Sequence, residues 1–93
     1  MNEALLQFIW QWKKVNQLHT LDGKPILILD PGTLNHNEGP DFLMAKVKIE
    51  DTVWVGNIEI HVHTSDWYKH QHDNSPLYNN IILHVVYEND TDI

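Results

Sequence analysis

The spacing of apolar positions changes along the chain, and each change marks a new element. Leu5, Phe8, Ile9, Trp12 and Val15 recur at helical spacing as one stripe, widened by Leu6 and Trp10. A helix over residues 2–15 follows. Asn2 is its cap, Glu3 lies in the first turn and Lys13-Lys14 in the last, the arrangement that the helix dipole favours. So wide a stripe predicts contact with more than one neighbour. Asp22-Gly23-Lys24-Pro25 is turn chemistry, and Ile26-Leu27-Ile28-Leu29 is a short apolar strand stopped by Asp30-Pro31-Gly32. A polar loop over residues 33–40 comes next. The period then drops to two: Leu43, Ala45, Val47 and Ile49 face one way, Lys46 and Lys48 the other. Glu50-Asp51 turns the chain, and residues 52–63 return as the hairpin partner, with Gly56 marking a bulge or a close backbone approach. Ser65 caps a short helix over 65–69, residues 70–76 form a loop, and 81–87 form a nearly continuous apolar strand of the kind buried on both faces in a parallel sheet.

The order helix, strand, hairpin, short helix, strand predicts an α/β (α+β) unit with a small mixed sheet, a central hairpin and a buried final strand. At 93 residues there is room for one domain with a thin core, which nine large aromatic residues partly offset. A sheet ending on its most buried strand is incomplete. The expectation is a single domain over residues 1–93 that forms the N-terminal portion of a longer protein, or a chain completed as a homo-oligomer.

Charge and composition narrow the function. The chain has no cysteine, which removes disulfides, thiolate zinc sites and thiol nucleophiles. All six basic residues are lysine against 13 acidic ones, so this acidic segment alone is a poor ligand for nucleic acid or an anionic membrane. No apolar run has the length of a membrane span and no basic leader opens the chain, which predicts a cytoplasmic protein. Phosphate-loop, dinucleotide and serine-hydrolase motifs are absent from the sequence.

Candidate chemistry collects on the second hairpin strand. Asn57, Glu59, His61 and His63 share one side of it, and the plain reading of such a row is a solvent-facing polar surface. Asp41 changes that reading. An antiparallel return about Glu50-Asp51 sets Glu59 opposite Phe42, one residue from Asp41, so two carboxylates converge at one end of the hairpin. Converging carboxylates suit Mg²⁺ or Mn²⁺, or form an acid/carboxylate pair with a raised pKa. His61-Val62-His63 offers imidazoles for Zn²⁺ instead, with His70, His72 and Asp73 as further ligands. His84, between Leu83 and Val85, reads as a core histidine with its hydrogen bonds satisfied.

Five motifs carry a resemblance over essentially the whole chain: Pro31-Gly32-Thr33-Leu34-Asn35, Gly39-Pro40-Asp41-Phe42, Gly56-Asn57-Ile58-Glu59-Ile60-His61, Ser65-Asp66-Trp67-Tyr68-Lys69-His70 and Ile82-Leu83-His84-Val85-Val86-Tyr87. In this order they resemble the bacterial domain-of-unknown-function family 2851, whose members are several times longer and whose name implies no activity. A looser resemblance is to the PD-(D/E)XK nuclease core, a restriction-endonuclease-like fold, through Pro40-Asp41 and Glu59-Ile60-His61. It implies Asp41 and Glu59 as ligands of a divalent metal, with the Ile60 carbonyl as a third. His61 stands where that superfamily has its catalytic lysine. An imidazole there can act as a base but is not a permanent cation at neutral pH.

Three readings follow. In the first, Asp41, Glu59 and His61 form the catalytic set of a divalent-metal-dependent nuclease or phosphodiesterase core, whose nucleic-acid partner is met by the full-length protein. In the second, the module is a scaffold that docks the rest of its own chain or a second copy. In the third, His61, His63, His70 and His72 contribute to a zinc site.

Overall fold

In a computed structural model, which describes residues 1–12, 18–65 and 80–88, one helix packs on a five-stranded mixed sheet, a small α+β fold. The elements are α1 (Glu3–Gln11), β1 (Ile26–Asp30), β2 (Thr33–Leu34), β3 (Phe42–Ile49), β4 (Thr52–His63) and β5 (Ile81–Glu88). The strand order is β1-β3-β4-β5, and β2 pairs with β3 beyond the end of β1. Pairing is antiparallel except between β4 and β5, which run parallel. The expected short helix beyond its Ser65 cap, the loop over 70–76, the last turn of the first helix past Trp12 and the polar tail after Glu88 lie outside the described residues.

Asn2 caps α1 as expected, its side chain accepting from the Leu5 N–H at 2.9 Å. The buried side of the helix is a correction. Leu5, Phe8 and Trp12, the heart of the expected stripe, are 46%, 54% and 60% exposed. Trp10 is buried instead, with Leu6 and Ile9 half-buried. A tertiary contact sets this rotation. The Trp10 indole N–H donates to the Pro31 carbonyl at 2.9 Å while its ring packs on Phe42, 6.5 Å between centroids.

The core is one cluster of Trp10, Phe42, Ala45, Val47, Ile58 and Ile60. Cross-strand neighbours share a face, and Phe42 stands opposite Ile58 while Ala45 stands opposite Gly56. The expected register, with Phe42 opposite Glu59, therefore fails by one residue. The extra residue is on β3: Met44 adopts φ 56°, and its N–H leaves the ladder to donate to the Asn57 side chain at 3.1 Å. This β-bulge puts Phe42, instead of Leu43, on the core face. Continued one step, the same register brings Asp41 level with Glu59.

Gly56 is a close approach, as its place inside a strand suggested. A Cβ there would lie 2.4 Å from Ile82 Cγ2 and 3.0 Å from the Asn80 carbonyl oxygen, where β5 begins. The expected burial of the final strand is also corrected. β5 borders only β4 among the described strands and is half-buried, with Tyr87 61% exposed. The doubly covered strand is β4, on which five of the seven residues from Gly56 to Val62 are buried.

Candidate active site: paired acids beside paired imidazoles

Two members of the row expected to face solvent or line a site are buried. Glu59 and His61 are 3% and 2% exposed, on the side of β4 opposite Ile58 and Ile60. Burying a carboxyl and an imidazole on a central strand is costly without polar partners, and both have them.

Asp41 is delivered by a loop that Asn35 ties down. The Asn35 amide donates to the Glu38 and Pro40 carbonyls at 3.0 and 2.9 Å, its oxygen accepts from Asn37 N–H, and its own N–H reaches the Asp41 carbonyl at 2.8 Å. Asp41 stands just before β3, where the ladder with β4 stops. Its Oδ2 replaces the missing ladder acceptor by taking the Ile60 N–H at 2.7 Å, and its Oδ1 accepts from Gln7 Nε2 of α1 at 2.6 Å. These two neutral donors fix the carboxylate without neutralising it.

Glu59 meets Asp41 directly through a side-chain hydrogen bond. Burial first, then this bond and the Asp41 charge, with a smaller contribution from Glu3, push the Glu59 carboxyl up to about 10. At neutral pH Glu59 therefore keeps its proton and is the donor of that bond.

The imidazoles are engaged separately. His61 Nδ1 lies 2.8 Å from His84 Nε2, with the rings edge-to-face and 5.0 Å between centroids. The parallel register explains the meeting: Glu59 is level with His84 and His61 with Val86, so His84 reaches diagonally to His61. His63 Nε2 lies 3.7 Å from Glu88 Oε2, a contact open to solvent and of small energetic value. His70, His72 and Asp73 lie outside the described residues, and among those described no group of three or more histidine, cysteine or acidic side chains is placed to hold a metal.

The structure thus brings Asp41 and Glu59 together and sets His61 beside them on the same strand, while His63 turns to a different partner. Gln7, Asn35 and His84 are the members that sequence reasoning did not assign to the site. The signal for Asn35 is its place, with Asn37, in a polar loop before Gly39-Pro40-Asp41; Gln7 gives none beyond a polar residue on a helix.

Fold and site together define a small α+β protein whose central strand carries a buried carboxyl and a buried imidazole, each met by a half-buried partner of the same kind from a neighbouring element. The model of one family, described as Protein of unknown function (DUF2851), matches residues 3–93, and the chain belongs to that family. No curated protein and no solved structure matches it. Among the described residues no helix is long and apolar enough to cross a membrane.

Proposed function

We propose that this chain carries the core of a divalent-cation-dependent phosphodiester hydrolase, of the nuclease type that Pro40-Asp41 and Glu59-Ile60-His61 resemble. The observation that carries the reading is the direct contact of two carboxyl groups from separate motifs at the end of a buried strand. Their chemistry fits Mg²⁺ or Mn²⁺. Both ligands are hard oxygens, they lie within reach of one ion, and Mg²⁺ is commonly bound by one or two carboxylates with water completing the shell. A dication also relieves what holds the Glu59 proton, since it replaces that proton between two acids. Asp41 and Glu59 would be its ligands, with the Ile60 carbonyl as a further oxygen. When bound, the ion supplies charge stabilisation to the leaving phosphate. The chain's own contribution is positional: Gln7 and the Ile60 N–H hold Asp41, burial shields Glu59, and His61 orients or deprotonates the attacking water.

The test is a titration with Mn²⁺ or Mg²⁺ followed by calorimetry and by the NMR signals of Asp41 and Glu59. Saturable binding with proton release is expected, weakened more than about tenfold in Asp41→Asn and in Glu59→Gln. Flat curves with both ions remove the reading.

A second reading, a non-catalytic scaffold that docks a further copy of itself, is favoured by the exposed apolar side of α1, where Leu5, Phe8 and Trp12 stand in line with Phe8 and Trp12 in ring contact. It predicts flat cation titrations together with concentration-dependent dimers in light scattering. Phe8→Glu should abolish the dimers, and a monomer at every concentration excludes this reading.

A further inference from the structure

His84 was expected to be a core histidine with its hydrogen bonds satisfied; it is half-buried, and its ring meets another imidazole, the one beside the acid pair. The Nδ1···Nε2 separation of 2.8 Å is a full hydrogen bond, and a bond between two ring nitrogens holds one proton. Neither ring can therefore be assigned a tautomer alone.

We propose that His84 is a positioning residue that fixes His61 in its Nδ1–H tautomer, making Nε2 the basic nitrogen of the site. The inference rests on the hydrolase reading for its purpose. If His61 is to take a proton from water at Nε2, the ring proton must reside on Nδ1, and a positioned acceptor must hold it there. His84 Nε2 is that acceptor. Its place follows from the fold: β5 runs parallel to β4 with His84 level with Glu59, so its ring lies one step from His61 on the same face of the sheet. Its chemical type fits the surroundings as well. The usual orienting partner of a catalytic imidazole is a carboxylate. Here Asp41 and Glu59 already supply two acidic side chains, and an imidazole holds the tautomer without adding a third. Edge-to-face packing and the burial of His61 at 2% exposure keep the ring from turning over.

Nitrogen-15 NMR of the histidine side chains of the full chain, without added metal, tests this directly. The expected spectrum has His61 protonated at Nδ1 and bare at Nε2, His84 bare at Nε2, and a coupling across the hydrogen bond between His61 Nδ1 and His84 Nε2. His84→Leu should abolish that coupling and release His61 to a mixture of tautomers. His84→Gln, whose amide oxygen can accept the same proton, should restore the wild-type His61 pattern. A wild-type spectrum with the proton on Nε2 of His61 overturns the proposal, as does a His61 pattern unchanged in His84→Leu. The readout uses neither cation nor substrate. Flat metal titrations with the expected tautomer would sink the hydrolase reading and leave the assignment standing, whereas the wrong tautomer in a protein that binds Mn²⁺ would sink the assignment alone.

Discussion

Replacing Glu59 by glutamine is expected to make the protein more stable at neutral pH and less able to bind a cation. In the unfolded chain Glu59 ionises near 4.5, while in the folded chain it keeps its proton to about 10. Between those values the folded state carries the extra proton, so the free energy of unfolding falls as pH rises, by up to about 1.4 kcal/mol per pH unit. Below 4.5 both states are protonated and the stabilisation is fully present; by pH 10 it is lost. Glutamine escapes this dependence, because its amide N–H donates to Asp41 as the protonated carboxyl does and never ionises. Glu59→Gln should therefore gain up to about 3 kcal/mol at pH 7 over the wild type, and the gap should close toward pH 4.5. Urea unfolding of both proteins from pH 4 to 9 measures it, and parallel pH profiles would show that Glu59 ionises normally in the fold. With Mn²⁺ present the order should reverse or narrow, since a ligand of the folded state stabilises only the protein that binds it. A residue whose removal helps the fold and harms the site marks stability given up for function.

Trp10→Ala is expected to have the opposite sign and a larger size. The side chain is 1% exposed, packs against Phe42 at the centre of the core and donates to the Pro31 carbonyl where the chain passes from β1 to β2. Truncating a buried tryptophan costs about 3–5 kcal/mol, against a total stability of roughly 5–15 kcal/mol for a domain. The variant should unfold at a much lower urea concentration, with loss of the helical circular dichroism signal. Trp12→Ala, on the exposed side of the same helix, should move the midpoint little. Equal effects at the two positions would show that the helix packs by its other face.

That contrast shows where sequence reasoning stops. Seven apolar residues between Leu5 and Val15 leave the direction of the buried side open, and a contact with a carbonyl of another segment decides it. The strands were more legible. Alternation and turn residues give β4 over 52–63 as observed and β3 to within one residue, because half-buried strands write their period into the chain. β2, two residues long, is below what periodicity can register. The meeting of Asp41 and Glu59 was legible through hairpin geometry alone, although the expected register missed the Met44 bulge that sets them level. The imidazole pair was not. It depends on the register of β5 against β4, which is set by a crossover whose length says nothing about alignment, and by the close approach that Gly56 permits.

The parallel pairing of β4 with β5 also gives the site a history within each molecule. β3 and β4 are joined by a tight turn and can close early, whereas Asn57 meets Ile81 only across a longer stretch of sequence, a slower event for entropic reasons. On the ribosome, a chain still lacking Ile81 can already set its two acids side by side, but it has no partner ring for His61 and presents the bare flank of β4 to any neighbour. β5 thus both covers the flank of β4 and orients His61.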